Sequence, residues 1–469
     1  MDKFLLTKKS PLFVLVKKMK FSEILKENKE FKNFISSLDK APISVSGIVE
    51  SCFAHFIYST PHQKKTLVVM YNDLEAKNLY NDLNFFCDNA LFFPSREYIY
   101  YNFEATAHFG EHNRIRTLAK LVNTPNPIVV TSLEAISGYT IPPEILKSNS
   151  ITIKSGDTFN LETLSKQLVS MGYTRDDLVE GCGQFSVRGG ILDIFSPSED
   201  FPCRIEFFDD EVDSIRIYDY VSQRSMDFMD SVTIIPCKEA IYTPEKKLEL
   251  LDILKEKITK LKRKKGDFTE LINTINHDIE TISEDRDFPS IDKYASFIYD
   301  DFYTLLDYFS EDDMVFVYEP KRISERGKSL EWENNEQIKD LCEKGLIFAD
   351  GCKFLLPFND FIKKSESMCH ISVNSLNHTS ISYKYKALFD FNSRATVSLH
   401  GKIDYLFSDL EEWQKENTTV IILASNRSRG ENITGVLNDH NIKATFLNDK
   451  KEFKKGEVSV ITGELKKGF

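Results

Sequence analysis

The sequence of 469 residues predicts a multidomain α/β protein, and three observations lead to this class. Apolar strand candidates alternate with amphipathic helices near the start of the chain, as in a mostly parallel sheet. A stretch at 183–225 alternates apolar and polar residues with a period of two, which predicts antiparallel strands. Strands and helices alternate again near the end of the chain. A chain of this length is too long to fold around a single hydrophobic core, so we expect roughly three domains.

The first predicted unit spans residues 1–150 and contains a parallel sheet covered by helices. Three of its four strand candidates are almost wholly apolar, which is typical of strands buried on both faces. The predicted strands are Pro42–Val49, Thr66–Tyr71, Leu91–Phe93 and Ile128–Thr131, and the predicted helices lie at 73–86 and 111–122. This order is the βαβα pattern of a doubly wound sheet.

The second predicted unit, residues 151–236, is a small antiparallel α+β domain inserted into the first. Three runs within 185–218 alternate apolar and polar side chains, and turn formers separate them. The alternation predicts a polar outer face. Phe208 breaks the pattern, because it shares the parity of Arg204 and Glu206 and therefore belongs to that outer face. An aromatic ring flanked by arginines is the composition of a protein-binding hot spot.

The third predicted unit, residues 237–380, is mainly helical and packs on the first. Leucine and isoleucine recur at helical spacing around the basic run Lys260–Lys265, which we interpret as a solvated helix end rather than a DNA patch. The apolar strand Met314–Tyr318 is expected to return to the first sheet. Further predictions are helices at 246–285 (two), 291–309 and 321–343, and a polar linker at 363–386.

The last predicted unit, residues 381–469, is a small α/β domain. Its predicted elements are helices at 402–416 and 429–439 and the strands Val420–Ala424, Lys443–Leu447 and Glu457–Thr462.

Composition and charge narrow the possible functions. The net charge of −12 gives no general affinity for phosphates, so any DNA contact must be local. The eight cysteines are dispersed without the paired spacing of a zinc site, which indicates reduced thiols and no metal. No apolar run approaches the about 18 residues of a membrane span, and residues 1–18 show no small-residue cleavage site. We therefore expect a cytoplasmic protein that contacts no membrane.

The stretch around Phe208 also carries a family resemblance. The runs RGGILDIFSPS (188–198), RIEFFDDEVDSIR (204–216) and SQRS (222–225) resemble the N-terminal module of the bacterial transcription-repair coupling factors, which is similar to the front part of the excision-repair protein UvrB. In that family this small domain docks on UvrA. The resemblance implies that Arg188, Arg204 and Phe208 form the docking face.

The resemblance makes the first unit a degenerate RecA/P-loop-like domain. A working P-loop would read GxxxxGK[ST] after the first strand, but Ile43–Ser51 has one glycine and no lysine. Tyr318 stands where UvrB-like motors carry the magnesium-binding Asp. We therefore expect no nucleotide binding and no enzyme activity in these residues. Reading 43–51 as a loop that never held a phosphate predicts the same inactivity.

The resemblance covers essentially all 469 residues and implies the N-terminal fragment of a longer protein. Its role would be to recruit UvrA to RNA polymerase stalled on damaged DNA. The whole protein would be an ATP-dependent DNA translocase that displaces the polymerase. RNA polymerase and duplex DNA would bind through missing C-terminal domains, which would also hold ATP and magnesium, whereas the fragment itself needs no cofactor.

The sequence gives less support to two other functions. A UvrB-type damage-binding helicase subunit of the excision nuclease is disfavoured by the missing GK[ST], and an unrelated α/β enzyme finds no catalytic constellation to support it. At the docking face, the alternative is that Phe208 tucks into a bulge and that the arginines are ordinary solvated charge. If the face docks a partner, we expect alanine at Arg188, Arg204 or Phe208 to leave folding nearly unchanged.

Overall fold

The computed structural model describes residues 21–96, 109–284, 286, 288–299, 301–348, 353–376, 383–396, 403–447, 453–454 and 456–469. The stretch examined above for a cleavage site lies outside these residues. The strands are β1 (Ile43–Ser46), β2 (Thr66–Met70), β3 (Ala90–Phe93), β4 (Ile128–Ser132), β5 (Ile151–Lys154), β6 (Thr174–Arg175), β7 (Gln184–Arg188), β8 (Ile191–Ile194), β9 (Cys203–Phe208), β10 (Glu211–Tyr218), β11 (Ser225–Met229), β12 (Ser231–Ile234), β13 (Met314–Tyr318), β14 (Cys369–Val373), β15 (Ala387–Asp390), β16 (Val420–Ala424), β17 (Ala444–Phe446) and β18 (Val458–Thr462).

The α-helices are α1 (Phe21–Lys26), α2 (Lys29–Ile35), α3 (Glu50–Ser59), α4 (Asp73–Phe86), α5 (Phe109–Asn123), α6 (Leu133–Ser137), α7 (Pro143–Ser148), α8 (Leu161–Ser170), α9 (Pro244–Arg263), α10 (Thr269–Ser283), α11 (Ala295–Ile298), α12 (Pro320–Glu343), α13 (Phe358–Glu366), α14 (Ile403–Lys415) and α15 (Arg427–Asp439). Short 3₁₀ segments lie at Leu38–Lys40, Pro289–Tyr294 and Leu305–Tyr308. None of the helices in the described ranges combines the length and apolar character that crossing a membrane requires.

The main sheet has seven parallel strands in the order β15-β1-β14-β13-β2-β4-β3. Alternate residues of its strands enter two separate cores: Leu67 and Val69 belong to one cluster, whereas Val68 and Met70 belong to the other. Side chains on successive strand positions point to opposite faces, so both faces of the sheet are covered. The expected return of β13 to this sheet is confirmed, since β13 pairs with β2 and β14.

The sequence prediction of a linker at 363–386 is wrong for its first half. Strand β14 lies there, buried between β1 and β13. Cys369, Ile371 and Val373 alternate with polar residues at the period of a strand, but the surrounding run of polar residues favoured a linker. His370 Nε2 and Ser372 Oγ lie 2.9 Å apart and pair with each other, which is how a buried strand keeps two polar side chains.

Two further sequence predictions need correction. The helix expected at 291–309 is the short helix α11 flanked by two 3₁₀ segments. Strand β15 pairs in parallel with β1 in the main sheet, so the boundary drawn between residues 380 and 381 falls too early for that sheet.

A buried ion network joins the first and third sequence units, just after the inserted second unit ends. Arg96, which follows β3, bonds Glu239 at 2.6 Å and Asp292 at 2.5 Å. Arg114 on α5 bonds the other Glu239 oxygen at 2.8 Å, and the Glu239 side chain has no exposed surface. Burial raises the pKa of Asp292 to about 6. Buried charges are tolerated only when they are paired, so this network fixes where the inserted domain returns to the sheet.

The last unit contains a parallel sheet in the order β16-β18-β17. Its C-terminal residues run back to the first unit. The Lys466 ammonium lies 3.1 Å from Glu75 and 3.6 Å from Glu50, and the Lys466 backbone N–H donates to Asp82 at 2.9 Å. The chain end therefore packs across α3 and α4.

Candidate protein-docking face

The inserted domain is built on a six-stranded sheet in the order β11-β10-β9-β8-β7-β6. Its inner face packs against α8 through an apolar core. Cross-strand pairing places Ser186, Asp193, Arg204 and Arg216 in one row, on β7, β8, β9 and β10. Directly paired residues of antiparallel strands point to the same face, so these four side chains share the outer face of the sheet.

Asp193 is the acceptor at the centre of this row. Its carboxylate is 1% exposed and receives two hydrogen bonds from Arg204, at 2.7 and 2.8 Å. Arg188 donates a third at 2.7 Å. The hydrogen bond to Asp193 raises the pKa of the Arg204 guanidinium, which therefore keeps its charge. The structure thus brings Arg188 and Arg204 onto one buried carboxylate.

Arg204 also covers an aromatic ring. Its guanidinium lies 4.6 Å from the centroid of the Tyr218 ring, a cation–π distance. Tyr218 is fully buried there, and burial raises the pKa of its hydroxyl. Tyr218 has the parity of Arg216 and so belongs to the outer face, but it is not in contact with solvent there, because Arg204 covers its ring.

Phe208 stands at the end of β9 with 82% of its surface exposed. Its neighbour Phe207 packs partly into the core, so Phe208 faces outward with Arg204 and Glu206, as the parity argument predicted. The chain turns at Asp209, which has a positive φ of 57°; Phe208 pairs directly with Glu211, and the irregularity in the β9–β10 pairing lies on β10 between Val212 and Ser214. The ring is therefore not tucked into a bulge.

The structure separates the three predicted residues by exposure. The Arg188 side chain is 53% exposed and that of Arg204 is 18% exposed. Phe208 lies four residues from Arg204 on the same strand, about 13 Å away along it. The face therefore has a fixed arginine pair at one end and a bare aromatic ring at the other.

Sequence reasoning missed Asp193 as the residue that positions both arginines. A signal was available, because Asp193 is the single charge in the apolar run 191–194 and has the parity of the outer face. A carboxylate in a strand that is otherwise apolar needs a cationic partner. The two arginines of the neighbouring strands were the candidates.

The loop between β1 and α3, where a P-loop would stand, bonds to Asn374 and Ser393 of the same chain. The backbone N–H of Val49, just before α3, donates to Ser393 Oγ at 2.8 Å, and that of Ile48 donates to the Asn374 carbonyl at 3.2 Å. At Gly47 (φ 74°), a Cβ would lie 1.7 Å from the Phe391 carbonyl oxygen. The N–H groups of Ile48 and Val49, just before α3, therefore already have acceptors.

Tyr318 is part of the core beside that loop. Its ring stacks on Phe53 with centroids 4.7 Å apart, and its hydroxyl lies 3.4 Å from the Ile48 carbonyl oxygen. Desolvation by burial raises its pKa, so the phenol stays neutral. Within the described ranges, no group of three or more His, Cys, Asp or Glu side chains is arranged to hold a metal ion.

Comparisons with known proteins agree with this architecture. A sequence-family profile described as "UvrB interaction domain" matches residues 151–239, which contain the whole docking face. Over 458 residues the chain is 30% identical to the transcription-repair-coupling factor of Bacillus subtilis, covering 95% of this chain and 38% of that protein.

Two further relatives carry the same name. The chain is 27% identical to the protein of Staphylococcus haemolyticus over 96% of its length, and 28% identical to that of Staphylococcus aureus over 95%. It spans 38% of the length of each of these relatives. The chain is therefore a homologue of the transcription-repair-coupling factors, with a UvrB interaction domain at residues 151–239.

Proposed function

We propose that this chain recruits UvrA through the outer face of its inserted domain, with Arg188, Arg204 and Phe208 as contact residues. The observation that carries the proposal is the arrangement of that face: two arginines fixed on the buried Asp193, and an aromatic ring 82% exposed on the same strand as one of them. Aromatic and arginine anchors of this kind dominate protein–protein binding energy.

Charge and shape define the partner surface. Arg188 is 53% exposed and gives Asp193 one hydrogen bond out of five possible N–H donors, so its guanidinium suits a carboxylate of the partner, and the Phe208 ring suits an apolar pocket. A partner with an acidic, partly apolar groove satisfies both. UvrA is the partner that the family resemblance implies for this domain.

In this proposal the chain is an adaptor without nucleotide chemistry. It neither binds nor hydrolyses ATP, which the occupied N–H groups before α3 and the buried Tyr318 support. The longer relatives would supply the motor. ATP, magnesium, duplex DNA and RNA polymerase would bind to regions beyond the part matched here, and the whole protein would act in the cytoplasm as a DNA translocase that displaces stalled polymerase.

A pull-down with purified UvrA tests the adaptor role. Wild-type chain should capture UvrA, and Phe208→Ala and Arg188→Ala should each capture much less. Leu388→Ala is a matched control, because Leu388 is 69% exposed but lies on β15 of the main sheet. Normal capture by both face variants, or no capture by the wild type, would contradict the proposal.

A further inference from the structure

A second exposed aromatic ring lies on the same sheet as Phe208. Phe228, on β11, exposes 76% of its surface at the outer edge of the six-stranded sheet. Four of the five β11 residues are exposed. Sequence reasoning predicted no strand here and assigned Phe228 no role.

Register places Phe228 on the docking face. Phe228 pairs with Arg216 across β10 and β11, and Arg216 pairs with Arg204 across β9 and β10. Paired side chains share a face, and neighbouring strands lie about 4.8 Å apart, so the Phe228 backbone is roughly 10 Å from that of Arg204. The row that begins at Asp193 therefore continues through Arg204 and Arg216 to Phe228.

Contacts within the chain hold the Phe228 ring in place. The Arg216 guanidinium lies 5.3 Å from its centroid, and the same guanidinium bonds the carboxylate of Glu206. Glu206 also accepts from Ser214 at 3.1 Å and stands two residues before Phe208. A side chain ordered before binding loses less conformational entropy on association.

We propose that Phe228, held by Arg216, is a second aromatic anchor for UvrA, so that the docking face extends from β7 to β11. This inference rests on the proposed function. The five strands span about 19 Å, which lies within the width of a standard interface of about 800 Å² per partner. Phe228 lies in the same cross-strand row as Arg204, and an arginine covers an aromatic ring at both Tyr218 and Phe228. These two observations favour a single partner that contacts the whole face.

Affinity measurements separate this inference from the proposed function. UvrA is titrated onto immobilised wild-type chain and onto the Phe228→Ala, Phe228→Tyr, Phe208→Ala and Trp332→Ala variants. Trp332 is the matched control, since it is an aromatic residue 66% exposed on α12. We expect Phe228→Ala to weaken binding roughly 10-fold or more. Phe228→Tyr, which keeps the ring, and Trp332→Ala should bind as the wild type does.

Each outcome decides one question. If Phe208→Ala weakens binding and Phe228→Ala does not, the inference is wrong and the proposed function stands. If neither weakens binding, both are wrong. Thermal melting of the same variants excludes unfolding, and a Phe228→Tyr variant that melts normally but binds as poorly as Phe228→Ala would also overturn the anchor role.

Discussion

Arg204 donates two hydrogen bonds to Asp193, at 2.7 and 2.8 Å, and Asp193 is 1% exposed. Arg204, a predicted contact residue of the docking face, therefore also contributes to the stability of the domain. The structure instead predicts that loss of Arg204 destabilises the fold, because the residue both covers Tyr218 and compensates a buried charge.

The first prediction contrasts the two arginines. Arg204→Ala leaves Asp193 with Arg188 alone and uncovers Tyr218, so we expect a loss of roughly 1–3 kcal/mol in the free energy of unfolding. Arg188→Ala should lose clearly less, because Arg188 gives one bond and is 53% exposed. Urea unfolding of both variants checks this. Equal losses in the two variants would contradict the larger contribution that the structure gives to Arg204.

The second prediction concerns nucleotide. Calorimetric titration of the chain with Mg-ATP should give no binding heat, because the N–H groups of Ile48 and Val49 already donate to Asn374 and Ser393. Ser393→Ala removes one acceptor and adds no lysine, so it should also give none. A micromolar site in the wild type that Ser393→Ala alters would contradict this account and revive the helicase alternative.

The third prediction concerns DNA. The cations of Lys260–Lys265, at the end of α9, are exposed on a chain of net charge −12. We expect weak binding to duplex DNA with a log–log salt slope of about −0.9 per phosphate neutralised. Combining Lys262→Glu with Arg263→Glu should reduce it further, as fluorescence anisotropy would report. Tight binding that persists at high salt would argue for a dedicated DNA site.

The fourth prediction is a pH effect at His370. Burial lowers the pKa of His370 to about 3, below its usual value of 6.5. Below pH 6.5 the unfolded chain therefore binds a proton at His370 that the folded chain does not bind. The free energy of unfolding consequently decreases as the pH decreases. From pH 7 to 5 this one group should cost about 2 kcal/mol.

A variant isolates that effect. His370→Leu should lose about 2 kcal/mol less than the wild type over the same pH interval, since its side chain does not titrate. Urea unfolding at pH 7 and pH 5 measures both losses. Identical pH dependence in the two proteins would show that the pKa of His370 is the same in the folded and unfolded chains, which contradicts the lowered pKa.

The sequence predicted the fold well where a short, continuous run of apolar residues indicates a buried strand. Strands β2, β4 and β13 are apolar runs buried on both faces, and each was located to within a residue or two. Strand β14 was missed although Cys369, Ile371 and Val373 alternate with polar residues at the period of a strand, because the surrounding polar run favoured a linker. The pairing of His370 with Ser372, which lets this strand be buried, exists only in the folded chain.

In the candidate site, too, one feature was predictable from local sequence and others were not. Exposure of Phe208 followed from strand parity, which depends only on local geometry. The roles of Asp193 and Phe228 depend on which strands become neighbours and in which register. A one-residue slip would move every side chain to the other face, so these contacts are properties of the assembled sheet.

The affinity of UvrA for the Phe208→Ala variant tests the central claim most directly. The ring is 82% exposed, so its removal should leave the melting temperature unchanged while UvrA binding weakens on the order of 30- to 1,000-fold, about 2–4 kcal/mol. Calorimetric titration of UvrA into this variant and into the Leu388→Ala control measures the difference. Wild-type affinity in both would contradict the account of this face as the surface that recruits UvrA.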